Sequence, residues 1–407
     1  MAVPNLPLDI VAEIIDILAE TKDWETLKTF STLCSFCRDQ CRKHMFSSIT
    51  IGEDTDDWDE ENEAFPMPEI LKFVALTKDH PQVLGYIRHL YIINPTRYVD
   101  QVALPHVFPL LVNLSSLEIH IYEEHEWWSP HLTKSLEALS GLPSFERLSL
   151  HGIKTFVIHN LAPLYQLRHL ELDHVDLVDM YSPAIQYPPM RLQSLVHIDF
   201  DEYDYDPKIH TLKAKREDGQ FLLDLSELEE LHLSPFINTT SLQQASEVIQ
   251  CHNVQHLKQL SLGIEYRGDN ELDPYEDARC LQGIILPQRH SLKKLVFCSR
   301  YGDLAGHQDP YSTLIAVLNE LEPDNVLTSL EVTIYIIRIL FHDVSMKRSL
   351  WKPLSDVLTK PGWKHLSSVS LKVWTFEEDL QRESKKLHDY LKPLSEQPFK
   401  FTLNLRA

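Results

Sequence analysis

One pattern recurs ten times in this sequence: an apolar residue, two variable residues, an apolar residue, one variable residue and a final apolar residue. The copies are IRHLYI at 87, LSSLEI at 114, FERLSL at 145, LRHLEL at 167, LVHIDF at 195, LEELHL at 228, LKQLSL at 257, LKKLVF at 292, LTSLEV at 327 and LSSVSL at 366. Their last two apolar positions alternate, as in a strand with one side on a core. Such a unit cannot bury its apolar side alone, so the units must stack.

The segments between the copies have helical patterns, for example at residues 128–139 and 241–254. Each unit is therefore expected to be a strand followed by a return helix or an irregular arc. FKFTLNL at 399–405 is expected to be a closing strand and 376–394 a terminal helix. The sequence predicts an α/β fold with a parallel strand face.

Two apolar segments precede the first copy: LPLDIVAEIIDIL at 6–18, and LKTFSTLCSFCRDQCRKHMFSSITI at 27–51. The first predicts a helix whose main apolar stripe contains Leu8, Val11, Ile14, Ile15 and Leu18. Ile10 and Ile17 add a second stripe beside it. The combined face is too wide for one neighbouring helix.

Three cysteines, Cys34, Cys37 and Cys41, follow one face of the next predicted helix. Their spacing leaves two interpretations open, a zinc site or thiols packed in a core, and core packing is favoured because no matching fourth ligand appears. With six cysteines in 407 residues, mostly within apolar patterns, we expect reduced thiols and no disulfides. That expectation favours the cytoplasm or the nucleus.

The charge balance limits the partners. The chain has 60 acidic and 38 basic residues, a net charge of -22, so its average surface repels phosphate backbones and anionic lipids. We expect no nucleic-acid binding and no membrane association. The N-terminal apolar residues lack a preceding basic region and are interrupted by acids, so they predict neither a signal peptide nor a membrane span.

Common catalytic and cofactor signatures are missing. Only 11 glycines occur, and the sequence contains no GxGxxG, GxxxxGK[ST], GxSxG or HExxH pattern. We expect no catalytic residues, no cofactor and no metal. An enzyme that uses some of the 21 histidines as general bases stays an alternative, weakened by the lack of a nucleophile motif.

The front segments resemble the F-box. Leu6-Pro7 followed by spaced isoleucines matches its first half, and the stretch from Leu27 to Arg38 matches its second half, with Cys37 where a bulky aromatic is usual. The ten repeated cores resemble leucine-rich repeats, although the asparagine that usually follows the strand is absent. The expected domains are an F-box-like helical domain at 1–51, an acidic linker and connecting helix at 52–84, and an irregular leucine-rich-repeat solenoid at 85–407.

This combination resembles the substrate-recognition subunits of SCF-type ubiquitin ligases. The resemblance implies that the F-box binds a Skp1-like adaptor, and a cullin through it, while the repeats hold a protein target. The residues carried over as the adaptor contact are Leu6, Pro7, Ile10, Ile14, Ile17, Leu27, Phe30 and Leu33. Two alternatives stay open: a repeat scaffold or protein-binding module outside any ubiquitin ligase, and front helices that only cap the repeats.

Alternation along the strands predicts one candidate target surface. If the leucines of LRHLEL and the apolar residues of LVHIDF point inward, a row of acids and histidines points outward on neighbouring strands. The predicted target-binding residues are His169, Glu171, Asp173, His197, Asp199 and Asp201. Glu171 would then face Asp199 and Asp173 would face Asp201. Glu118 and His120 would extend the row on one side, and Glu230 and His232 on the other. We consider three interpretations: a solvated acidic surface, a contact for a basic target segment, and a metal site.

Overall fold

The computed structural model describes most of the chain. The described residues are 7–52, 69–93, 104–121, 130–180, 187–199, 209–237, 239–266, 274–301, 312–336, 348–374 and 377–406. By contacts the chain divides into two compact units: residues 1–155 with 163–167, and residues 156–162 with 168–407. No described helix is long and apolar enough to cross a membrane.

The first unit begins with three helices. Its helices are α1 (Leu8–Glu20), α2 (Trp24–Phe30), α3 (Ser35–Met45), α4 (Glu69–Asp79), α5 (Leu104–Val107) and α6 (Pro130–Glu137). Pro7 precedes α1, and the Asp23 carboxylate caps α2 by accepting a hydrogen bond from the Thr26 backbone N–H at 3.1 Å. A 3₁₀ helix, Pro81–Tyr86, packs against α3.

Four strands of the first unit pair in chain order, all in parallel. They are β1 (Ser48–Ile51), β2 (His89–Ile93), β3 (Ser116–His120) and β4 (Arg147–His151). Leu90 lies beside Leu117, which lies beside Leu148, so the repeated leucines form buried rows. The side chains between them point to the other side, called here the open face.

The second unit continues the same construction. Its helices are α7 (Thr239–Cys251), α8 (Pro274–Ile285), α9 (Ser312–Leu321), α10 (Arg348–Leu358) and α11 (Glu377–Ser395). Its main strands are β6 (His169–Asp173), β9 (Ser194–Asp199), β11 (Glu230–Ile237), β12 (Gln259–Tyr266), β13 (Lys294–Tyr301), β14 (Ser329–Ile336), β15 (Ser368–Trp374) and β16 (Lys400–Arg406). Each of these pairs in parallel with the next.

Two small parallel pairs complete the second unit: β5 (Phe156–Val157) with β7 (Leu177–Val178), and β8 (Met190–Arg191) with β10 (Leu223–Asp224). The predicted stack of strand-plus-connection units is therefore confirmed. The closing strand is confirmed as β16 and the terminal helix as α11.

Nine of the ten repeated motifs form strands with the predicted side buried. The exception is LVHIDF, because β9 aligns Leu195 with Leu170 of β6 and uses Leu192, Leu195 and His197 as its three inward positions. The Arg168 carbonyl sets this register by accepting hydrogen bonds from the N–H groups of Gln193 and Ser194. An eleventh motif, FSSITI at 46–51, forms β1, so the strand stack begins within the range expected to be purely helical.

The three front helices share one small core. Ile15, Leu27, Cys37 and Cys41 are buried in it, and Val11, Leu18 and Phe30 pack against it. The helix α1 therefore buries the stripe containing Val11, Ile15 and Leu18, as expected, whereas Leu8 is 56% exposed, contrary to expectation.

Leu27 should be essential for the stability of these helices. We expect Leu27→Ala to lower their free energy of unfolding by about 2–5 kcal/mol, because its side chain is fully buried in the core of α1 to α3. Urea unfolding with amide hydrogen exchange in α1 to α3 measures the effect. Leu33→Ala is the matched control, since Leu33 is 64% exposed and its loss should change stability by at most about 0.5 kcal/mol.

Candidate functional site

The front helices carry an exposed apolar surface. Five of the ten large apolar side chains exposed in the described part of the chain lie between residues 8 and 33. They are Leu8 (56% exposed), Ile10 (42%), Ile17 (53%), Trp24 (43%) and Leu33 (64%), called here the front face. Ile10 and Ile17 belong to the second stripe of α1, which the core of the three helices does not use.

The residues predicted to contact an adaptor fall into three groups. Pro7, Ile10, Ile17 and Leu33 are exposed. Ile14 and Phe30 are half-buried, and Leu27 is fully buried, so Leu27 holds α2 in place and presents no surface to a partner. Leu6 lies outside the described residues.

One of the three cysteines lies at the N-cap of α3, and the other two lie on its buried side. Cys37 and Cys41 are buried, whereas Cys34 is exposed and lies at the N-cap, where its sulfur accepts a hydrogen bond from the Cys37 N–H at 3.4 Å. That hydrogen bond lowers the pKa of the Cys34 thiol, while burial raises the pKa values of Cys37 and Cys41. Two neutral thiols in a core agree with the packing interpretation.

The predicted acidic row does not form in the expected register. Because β9 is shifted, Glu171 lies beside Val196 and Asp173 lies beside Ile198, so the predicted pairs Glu171–Asp199 and Asp173–Asp201 are wrong as strand neighbours. The backbone of Asp199 lies beside Pro235. Its side chain and the whole of Asp201 lie outside the described residues.

Glu171 and Asp173 stay on the open face of β6, together with His169, and all three are partly exposed. Asp173 Oδ1 is 2.7 Å from His174 Nδ1. Burial lowers the pKa of His232 on β11, and the charges of Glu171 and Asp173 partly oppose this. The two acids therefore interact electrostatically with a histidine two strands away.

His197 was predicted to point outward and is buried instead, at 3% exposure. It lies beside Leu172 on one side and Leu233 on the other, in the position that leucine or another apolar residue fills in most other repeats. Burial lowers its pKa from 6.5 to about 4. Its Nε2 has no hydrogen-bond partner among the residues that the structure describes. His197 is therefore a core residue and is removed from the candidate target surface.

On the open face of the first unit, Glu118, His120 and His151 come together. Glu118 and His120 are two residues apart on β3, and His120 lies directly beside His151 on β4. His120 Nε2 is 2.7 Å and His151 Nε2 is 3.7 Å from Glu118 Oε1. The two imidazole rings stack with centroids 3.7 Å apart, and Tyr91 of β2 packs edge-on against His120 at 4.8 Å.

The sequence placed Glu118 and His120 on this face but missed His151. It is the residue directly after the FERLSL motif, just as His120 follows LSSLEI. Aligning the residue after the sixth position of each repeat would have brought the two histidines together.

Gly152 fixes the backbone that follows His151. Its φ is +70°, and an added Cβ would overlap the carbonyl oxygen of Ile121. The same turn is held by the Ile121 N–H, which donates to the His151 carbonyl at 3.0 Å. Gly152→Ala should therefore displace this strand end and lower the melting temperature of the first unit, because both the φ angle and the space favour glycine. Gly141→Ala is the matched control, since it also has positive φ (+83°) but open space around the added Cβ.

The comparisons with known proteins give little. No protein-family model matches this chain, and the search of curated proteins finds no match. The search of solved structures matches 13 chains. One is the leucine-rich repeat-containing protein LegL7 from Legionella pneumophila, with 13% identity, a TM-score of 0.35, and coverage of 88% of this chain and 90% of that chain. A likeness at this TM-score assigns neither a family nor a function.

Proposed function

We propose that this protein is the substrate-recognition subunit of an SCF-type ubiquitin ligase. In this proposal the front face binds a Skp1-like adaptor, which links the chain to a cullin, and the repeats hold a protein target. The chain would act in the cytoplasm or the nucleus.

The exposure of the front face carries the proposal. A soluble helix normally turns its apolar residues toward a core, yet Ile10 and Ile17 are about half-exposed although α1 already packs Val11, Ile15 and Leu18 into the core of the three helices. Burying a large aliphatic side chain in an interface is worth roughly 1.5–3 kcal/mol. Burial of four or five such residues by one partner would be enough to anchor it.

The strands of the second unit supply the proposed target surface, on the side away from their buried leucines. Glu171 and Asp173 are partly exposed there, and the net charge of -22 favours a basic target segment. Stacked repeats commonly bind partners along such an extended face. Asp199 and Asp201 are not carried into this proposal, because their placement rested on the same alternation as the buried His197.

The proposed role is positional rather than catalytic. A subunit of this kind holds a target lysine near the carrier of activated ubiquitin, which raises the effective concentration of the reacting groups. The bond-forming step would belong to other subunits, and no residue of this chain is assigned to it.

A second candidate is a repeat scaffold or protein-binding module that works outside any ubiquitin ligase. The strand stack favours the scaffold and the ligase subunit equally, because it presents a binding surface whether or not the front face binds an adaptor. The two candidates differ only in what covers the front face.

Reconstitution separates the two candidates. The purified full chain is mixed with Skp1 and with a cullin, and the mass of the assemblies is measured after size exclusion. The proposal predicts an equimolar complex with Skp1, and cullin association only when Skp1 is present. A chain that elutes alone under both conditions would support the scaffold and overturn the ligase proposal.

A further inference from the structure

The cluster of Glu118, His120 and His151 has the composition of a metal site. Two imidazoles and one carboxylate form a donor set that transition metals such as zinc use in proteins. The ligand atoms of the three residues all lie within 4.8 Å of one another. The cluster stands on two paired strands of one unit, so its donors come from rigid backbone.

The distances fit a single small cation. Zinc binds nitrogen and oxygen at about 2.0–2.2 Å in a tetrahedron, which places neighbouring ligand atoms roughly 3.3 Å apart. The two separations, 2.7 Å from Glu118 to His120 and 3.7 Å from Glu118 to His151, lie on either side of that value. Side-chain movements of roughly half an ångström would equalise them. Because the two rings stack with 17° between their planes, binding also requires one imidazole to rotate so that both nitrogen lone pairs point at the same ion.

The donor chemistry also favours a metal ion. One divalent cation can accept a lone pair from each imidazole and is balanced by the Glu118 carboxylate. Both histidine side chains are 14% exposed, which limits competition by water for these donors.

We infer that Glu118, His120 and His151 form a binding site for one zinc-like divalent transition-metal ion on the open face of β3 and β4. Glu118 is 44% exposed, so the bound ion would face solvent and keep a coordination position for a water molecule or for a donor atom of a bound protein. This site is independent of the front face and of the proposed ligase role.

Zinc binding to the full chain tests the inference. An untagged protein is stripped with a chelator, the chelator is removed, and zinc chloride is titrated by calorimetry. We expect one zinc ion per chain at this site. His120→Gln and His151→Gln should each weaken binding at least about 10-fold, because each removes a ligand, and Glu118→Gln should weaken it by removing the compensating charge.

His89→Gln is the matched control, because His89 lies on the neighbouring strand β2 and contacts Ser116 Oγ at 2.8 Å, outside the cluster. Zinc should raise the melting temperature of the wild type and of His89→Gln but not of His120→Gln or His151→Gln. This thermal readout also reveals any variant that fails to fold.

Cobalt substitution distinguishes the ligands. A cobalt complex of the wild type should lack the charge-transfer bands that thiolate ligands produce. The inference is overturned if the wild type binds no zinc, if the cluster variants bind as tightly as His89→Gln, or if the wild-type cobalt complex shows thiolate bands that are also present in His120→Gln.

Discussion

The chain carrying Ile10→Asp and Ile17→Asp should bind a Skp1-like adaptor at least about 100-fold more weakly than the wild type. Both side chains belong to the front face, where they are 42% and 53% exposed. In the proposed complex each aspartate would be buried without a partner, and an unpaired buried charge costs several kcal/mol. A loss of about 2.7 kcal/mol is already 100-fold in affinity. Titration calorimetry with purified Skp1 measures the change.

These substitutions should leave the chain folded, because neither residue belongs to the core of α1 to α3. Leu110→Asp with Val112→Asp is the matched control: both residues are exposed apolar residues of the first unit, at 53% and 56%, outside the front helices. The control should bind like the wild type. Unchanged affinity of the Ile10/Ile17 variant would mean that the front face is not the adaptor contact.

His197→Leu should remove part of the acid sensitivity of the second unit. The folded state lowers the pKa of His197 to about 4, against 6.5 for an exposed histidine, because burial disfavours the charged ring. Between these values the unfolded state binds more protons, so the free energy of unfolding falls as the pH drops from 6.5 to 4. For this shift the loss is about 3 kcal/mol.

Leucine at 197 does not titrate and matches the apolar residue of the neighbouring repeats. The variant should therefore be more stable than the wild type at pH 4.5, and the gain should shrink as the pH rises above 6.5. Urea unfolding at a series of pH values gives the difference curve. His106→Leu is the control, because it removes a histidine that is exposed on α5 rather than buried in a core. A His197→Leu curve parallel to the wild type from pH 7 to 4.5 would contradict the buried, neutral histidine.

The strand stack was predictable because the repeated motif carries both the period and the buried side of each strand. The register of β9 was not predictable. Its inward position is filled by His197, whereas the repeated motif has an apolar residue there, so the neighbouring Ile198 matched the motif better. The first strand was missed for a different reason. FSSITI follows α3 directly and reads as the end of the helical segment.

The candidate sites were only partly predictable. The second stripe of α1 marked Ile10 and Ile17 as surplus apolar residues, and they are exposed. The sequence could not separate Leu27, which is buried, from Leu33, which is exposed, because both follow the same apolar spacing on a short helix and its turn. The cluster around His151 depends on the register between β3 and β4. No single strand contains that information.

Amide hydrogen exchange of the full chain, with and without purified Skp1, tests the central proposal most directly, because it reports both binding and its location. The proposal predicts slower exchange in residues 8–33 when Skp1 is added, with unchanged exchange in strands β11 to β16. Exchange in residues 8–33 that is the same with and without an excess of Skp1 would contradict it.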